Sequence, residues 1–186
     1  MRKIAVIVGH NQISQGAQSI TPIDRSELDF NSELAQAMEQ RASDFNVEIK
    51  VFHREHQGSY RREILKVYGE VNEWDPEYST ELHFNSSVFT VSGSEVLSSG
   101  SRKSLRFAQL TQDEMVNLFD RKRSNRGDRG VKTRRQGRGA LSLLSGNAPA
   151  IIVEPFFGSN RADCRRMNEI GIENLAIAYL TAMSKL

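Results

Sequence analysis

Two histidines and two glutamates, spread over most of a 186-residue chain, carry the side chains that hydrolysis at a metal ion needs. They are His10 in VIVGHNQ, Glu27 in DRSELDF, His83 in STELHFNSS and Glu154 in AIIVEPFFGSN. Two imidazoles and one carboxylate supply three ligands for zinc and leave the fourth position for water. A carboxylate outside the ligand set can then shuttle protons. His10, Glu27 and His83 form such a ligand set, with Glu154 as the free acid. The spacings are long, and no short metal motif of the H-E-x-x-H kind is present.

Each residue alone has a plainer explanation. His10 follows Gly9 and an apolar run, a place for a loop histidine as well as for a ligand. Glu27 falls in the first turn of an expected helix, where the helix dipole favours an acid. His83 lies between Leu82 and Phe84 and needs a polar partner, of which a metal is one. Glu154 stands between Ile-Ile-Val and Pro-Phe-Phe, near the core, where an unpaired carboxylate is costly outside a salt bridge or a site. His53 and His56 have H-x-x-H spacing, but Arg54, Glu55, Arg61 and Arg62 around them read as a solvated loop. The lone Cys164 excludes an internal disulfide and reads as a small buried apolar residue. Ser98, Ser99 and Ser101 lack the strand-turn-helix elbow of a serine hydrolase. The glycines near residue 130 follow no phosphate-loop pattern.

The elements that must position these groups alternate between strand and helix. Residues 3–8, KIAVIV, are a near-continuous apolar run, as in a strand covered on both faces. A polar loop from His10 to Thr21 leads to a helix capped by Asp24 or Ser26, with Leu28, Leu34, Ala35, Met38 and Ala42 as its buried stripe. VEIKVFH, residues 47–53, alternates with period two. Residues 59–74 carry Ile64, Tyr68 and Val71 at helical spacing, and Asp75-Pro76 ends that helix. Residues 78–97 read as two strands with a short connection, and residues 103–119 as a helix. ALSLLSG fits a helical turn or a short strand. AIIVEPF, 150–156, is a β-branched strand, and residues 172–186 form a closing amphipathic helix. The expected fold is α/β: one domain over residues 1–186, with a mainly parallel or mixed twisted sheet flanked by helices on both faces. Sites in such sheets lie at the carboxyl ends of strands, where His10 and Glu154 fall.

Net charge is +2, yet residues 121–138 hold nine Lys or Arg and one Asp. Of the chain's 25 basic and 23 acidic residues, that leaves 16 and 22 elsewhere, a net of −6. The segment is either a solvated loop or a contact for a polyanion. It has no interleaved aromatics, so stacking on single-stranded bases is not expected. The apolar runs are too short to cross a membrane. The N-terminal apolar stretch, Ile4 to Val8, is also too short for a signal peptide.

The residues also resemble a family. Val8-Gly9-His10, Glu27, His83 with Asn85, Gly93-Ser94-Glu95, Arg129 to Lys132, and Pro149-Ala150 through Glu154, Phe157 and Ser159-Asn160 follow one another as in the zinc-dependent N-acetylmuramoyl-L-alanine amidases of type 3. The resemblance spans nearly the whole domain. It implies one Zn²⁺ per chain on His10, Glu27 and His83, and Glu154 as the catalytic acid. It implies peptidoglycan as the substrate; Asn85 and Arg129 are the residues expected to meet it, with Arg129 or another residue of the basic segment at stem-peptide carboxylates. Two departures stand out. The family places Asp-x-Gly-His-Gly-Gly where this chain has Ile7-Val8-Gly9-His10-Asn11-Gln12, and Ser-x where Glu81-Leu82 precede His83. They motivate an alternative, a zinc amidohydrolase or carboxypeptidase acting on small N-acyl amino acids. A non-catalytic polyanion-binding protein on the same scaffold is a further alternative. Murein lies outside the cytoplasmic membrane. The expectation is therefore a phage or prophage lysin made in the cytoplasm and released, or a chain whose export signal has been removed. Neither nucleic-acid binding nor membrane insertion is expected.

Overall fold

A computed structural model describes residues 1–121, 127–133 and 139–186. The first strand, β1 (Arg2–Val8), sends alternate side chains to opposite faces of a sheet. Ile4, Val6 and Val8 join one core cluster, and Ala5 and Ile7 join another. All five are fully buried, which explains why the segment reads as a continuous apolar run. The chain continues through α1 (Glu27–Arg41), a 3₁₀ turn (Ala42–Phe45), β2 (Val47–His53), α2 (Tyr60–Trp74), β3 (Tyr78–Leu82) and β4 (Ser94–Ser98). It then forms α3 (Arg102–Leu118), β5 (Asp128–Thr133), α4 (Ala140–Ser145), β6 (Ala150–Glu154), α5 (Arg161–Ile170) and α6 (Ile172–Ser184).

These strands build one six-stranded sheet in the order β2-β1-β3-β6-β4-β5. The first four are parallel to one another. β4 runs antiparallel to β6, and β5 runs parallel to β4, so the last two strands are reversed. One face is covered by the larger core, with Leu34, Met38, Phe107, Met115 and Tyr179 from α1, α3 and α6. The other face carries Ile64, Val67, Tyr68 and Val71 of α2 against Ala5 and Ile7. Helices thus lie on both faces of a mixed sheet, as expected. No helix among the described residues is long and apolar enough to cross a membrane.

Ser26, not Asp24, caps α1: its Oγ accepts from the Asp29 amide at 3.2 Å. Of the five expected stripe residues, Leu28, Leu34, Ala35 and Met38 are buried along α1, and Ala42 is buried at the start of the 3₁₀ turn that follows.

Two expectations are corrected, on the connection after β3 and on the basic segment. Residues 78–97 are not two strands with a short connection. β6 lies between β3 and β4, so the connection from His83 to Gly93 must cross the end of β6 and cannot be a hairpin. His83 follows directly on the end of β3. Of the two readings left open for ALSLLSG, the helical one holds, as α4. Part of the basic segment, Asp128–Thr133, is an edge strand on β4; residues 122–126 and 134–138 of that segment lie outside the described residues. Helix α5 has no counterpart in the sequence reading. Asn160 caps it by accepting from the Ala162 and Asp163 amides, and Cys164, Met167 and Ile170 recur at helical spacing on its buried side. The polar residues between them mask the stripe.

Candidate active site

β1, β3 and β6 end on one rim of the sheet, and the reversed β4 and β5 begin there. His10 follows β1 directly after Gly9, whose amide donates to the Leu82 carbonyl at 3.3 Å and ties the turn to the end of β3. Glu27 is the first residue of α1 and is almost fully buried. The connection before it folds back, with the Glu27 and Leu28 amides donating to Ala17 and Gln15 carbonyls at 3.0 Å.

These elements bring His10, Glu27 and His83 together. One donor atom from each lies within 4.8 Å of the others. Glu27 Oε2 stands 3.2 Å from His10 Nε2 and 3.0 Å from His83 Nδ1. The remaining donors are already engaged. His10 Nδ1 is 3.2 Å from the Ser14 carbonyl, Glu27 Oε1 accepts from the Ala17 amide at 2.9 Å, and His83 Nε2 is 3.0 Å from Glu81 Oε1. One nitrogen of each histidine is therefore held by an outer partner while the other faces the shared point, as at zinc sites. Ligands about 2.0–2.2 Å from a tetrahedral ion stand roughly 3.3–3.6 Å apart. The three donors are of the right kind and close enough to fit Zn²⁺.

Electrostatics follow from the crowding. Burial would raise the Glu27 pKa, but hydrogen bonds and charge from His10 and His83 outweigh it and hold the carboxyl at about 2. Burial would lower the His83 pKa, but Glu27 and Glu81, one at each ring nitrogen, lift it to about 10. Two glycines leave room for the cluster. A Cβ at Gly9 would lie 2.2 Å from His83 Nε2, and one at Gly16 would lie 2.7 Å from Glu27 Cβ.

Glu154, the last residue of β6, lines a cavity of about 430 Å³ together with His10, Glu27, Glu81 and His83. Opposite it in the antiparallel register stands Glu95 of β4. The Asn85 amide donates to both, at 2.8 Å to Glu95 Oε1. Arg129 Nε and Lys132 Nζ donate to Glu95 Oε2, and the Arg129 guanidinium lies 5.1 Å from the Phe157 ring centre. Desolvation, then the hydrogen bond and charge of Glu95, raise the Glu154 pKa to about 8. Burial also opposes ionisation of Glu95, but its bonds to Glu154, Lys132 and Arg129 prevail and bring it to about 2. Of the two facing carboxyls, Glu154 is therefore the more readily protonated and Glu95 the one held ionised.

Asn85 and Arg129, the residues expected at the substrate, border a second cavity of about 390 Å³ with Glu95, Lys132 and Phe157. Asn85 and Glu154 line both cavities, so the two form adjoining lobes. Asn11 is buried, and its Oδ1 accepts from the Ile13 and Ser14 amides, shaping the His10 loop. His53 is exposed, and His56 Nδ1 lies 3.0 Å from Glu63 Oε1. Neither joins the cluster. Cys164 is buried, and burial lifts its thiol to about 11, an inert side chain.

Residues 4–185 match the sequence model of a family described as N-acetylmuramoyl-L-alanine amidase. A search of curated proteins found no match. Among solved structures, the catalytic domain of an endolysin targeting Clostridia Difficile superposes with a TM-score of 0.83 at 24% identity, covering 98% of this chain and 96% of that one. The catalytic domain of the amidase CwlV from Bacillus (Paenibacillus) polymyxa superposes at 0.77 with 17% identity, over 100% and 97% of the two chains. An amidase of Nostoc punctiforme does so at 0.76 with 18% identity, over 99% and 96%. At these identities the superpositions establish the fold.

Proposed function

The chain belongs to the N-acetylmuramoyl-L-alanine amidase family of type 3, and from that membership we propose that it is a zinc-dependent hydrolase of peptidoglycan. The bond cut joins the lactyl carbonyl of N-acetylmuramic acid to the L-alanine of the stem peptide. Residues 1–186 act as one catalytic domain. The observation that carries the reading is the convergence of His10, Glu27 and His83 within 4.8 Å, beside a cavity that Glu154 also lines.

His10 Nε2, Glu27 and His83 Nδ1 would hold the ion. When bound, Zn²⁺ supplies Lewis acidity, polarising the scissile carbonyl and bringing the pKa of a water to about 7. Glu154 takes the proton of the attacking water and returns it to the departing alanine nitrogen. Its raised pKa suits both steps, because an acid that titrates near neutrality gives and receives a proton at similar cost. Asn85 fixes the carboxyl by donating to it. Arg129 and Lys132 border the adjoining lobe and meet the stem-peptide carboxylates. The substrate lies outside the cytoplasmic membrane, so the protein acts on the wall after release or export.

The test combines zinc content with digestion of purified murein. Wild type should take up one zinc and release stem peptides with free L-alanine amino termini. Glu154→Ala should keep the zinc and lose turnover. A protein that binds no zinc, or that hydrolyses small N-acyl amino acids and leaves murein intact, would defeat this reading.

A further inference from the structure

We propose that Glu81 is a positioning residue for the metal site: its carboxylate holds His83 Nε2 so that Nδ1 is the nitrogen offered to zinc. This rests on the zinc reading above and adds to it the device that sets metal affinity.

Glu81 stands where an apolar residue is due. On β3 its neighbours across the ladder are Ile7 and Ile152, and it is only 1% exposed. A carboxylate there is costly unless both oxygens are satisfied. They are. Oε1 lies 3.0 Å from His83 Nε2, and Oε2 accepts from the Tyr68 hydroxyl at 3.0 Å. The buried Arg54 brings its guanidinium to 4.0 Å from Glu81 and 3.4 Å from Glu63, and Glu63 in turn meets His56 at 3.0 Å. Glu81 and His83 are two residues apart in extended chain, so their side chains leave on the same side. Tyr68 approaches from α2 and Arg54 from just beyond β2. The carboxylate is therefore clamped from behind while it fixes the ring in front.

A ring so held cannot rotate to present Nε2 to the ion without breaking the Glu81 bond. The same bond raises the donor strength of the opposite nitrogen. A carboxylate behind a ligating histidine is worth about 10–100-fold in metal affinity.

The test uses the full chain with zinc alone. Chelator competition should show zinc binding weakened by about 10–100-fold in Glu81→Gln, which keeps the volume and loses the charge. Circular dichroism and a cooperative melt establish that the variant folds. An independent readout needs no variant. In ¹⁵N-edited spectra of the zinc-loaded wild type, His83 should keep its Nε2 proton, slow to exchange, and lose the proton from Nδ1. Wild type that takes up no zinc overturns the zinc reading and this proposal together. Wild type that binds zinc through His83 Nε2, or a folded Glu81→Gln with wild-type zinc affinity, overturns this proposal alone.

Discussion

Gly9→Ala puts one methyl group against the metal site, and its effect can be worked from distances. The new Cβ would stand 2.2 Å from His83 Nε2, 2.3 Å from Cε1 and 2.8 Å from the Leu82 carbonyl oxygen. Non-bonded heavy atoms rest at about 3.5–4.0 Å. The imidazole must therefore retreat by roughly 1.3 Å, or β1 and β3 must separate. Retreat is blocked on two sides, by Glu81 at Nε2 and by Glu27 at Nδ1, each 3.0 Å away. Zinc sites tolerate about 0.2 Å in ligand distance, so a displacement several times larger should remove His83 as a ligand. We expect zinc affinity to fall at least about 100-fold, equivalent to about 2.7 kcal/mol, with murein hydrolysis lost in parallel. Competition with a chromophoric chelator gives the affinity. Gly69→Ala is the control: it lies in α2 with open space around its Cβ, and should be neutral or stabilise by up to about 1 kcal/mol. A folded Gly9→Ala protein that binds zinc within threefold of wild type would refute the packing argument.

Further expectations concern the carboxylate pair, the core and the ion. Glu154 acts as a base when deprotonated, and Glu95 helps to hold its pKa up near 8. Glu95→Gln removes that neighbouring negative charge, one of the causes that hold the Glu154 pKa up. The acid limb of kcat/KM on a soluble muropeptide should thus move to lower pH by about one unit or more, about 1.4 kcal/mol per unit. An unmoved limb, or one moved upward, would break the pairing. Arg121 is buried against Asp163 at 2.8 Å and also donates to Ser94 Oγ and the Pro155 carbonyl. Arg121→Met takes the cation away from the buried Asp163 carboxylate, leaving it only the Gly93 and Phe157 amides, and should cost about 3–5 kcal/mol in urea unfolding; a loss below about 1 kcal/mol would contradict this. Zinc at about a thousand times its Kd should stabilise by about 4 kcal/mol, raising Tm by roughly 8–16 °C for a chain of this size. Scanning calorimetry with zinc and then with excess chelator checks this, and superimposed melts would contradict a metal bound only by the folded state.

Local patterns were legible in the residues. The double-faced burial of β1, the buried stripe of α1 and the placement of His10 and Glu154 at strand ends all follow from periodicity and punctuation. What stayed hidden depends on strand order. Glu95 faces Glu154 only because β4 pairs with β6 in reverse, and no local spacing encodes that register. The same insertion of β6 between β3 and β4 turns an expected hairpin into a crossing connection. α5 does not announce itself in the sequence, because Asp163, Arg165 and Arg166 break up its apolar stripe. In the sequence Glu81 stands out only as a departure beside His83. Its two-residue separation already placed it on the side of the ring, which was the signal available for its role.

The reversal of β4 and β5 has an architectural consequence. Residues 86–92 enter β4 at the mouth of the cavity, and Val88 and Phe89 there are largely exposed. Exchanging that stretch for a longer or differently charged one would reshape what the enzyme admits while every ladder hydrogen bond stays in place. The turn leaving β4, Ser99–Ser101, emerges at the distant rim. A tether or targeting module grafted there would leave the entrance unobstructed.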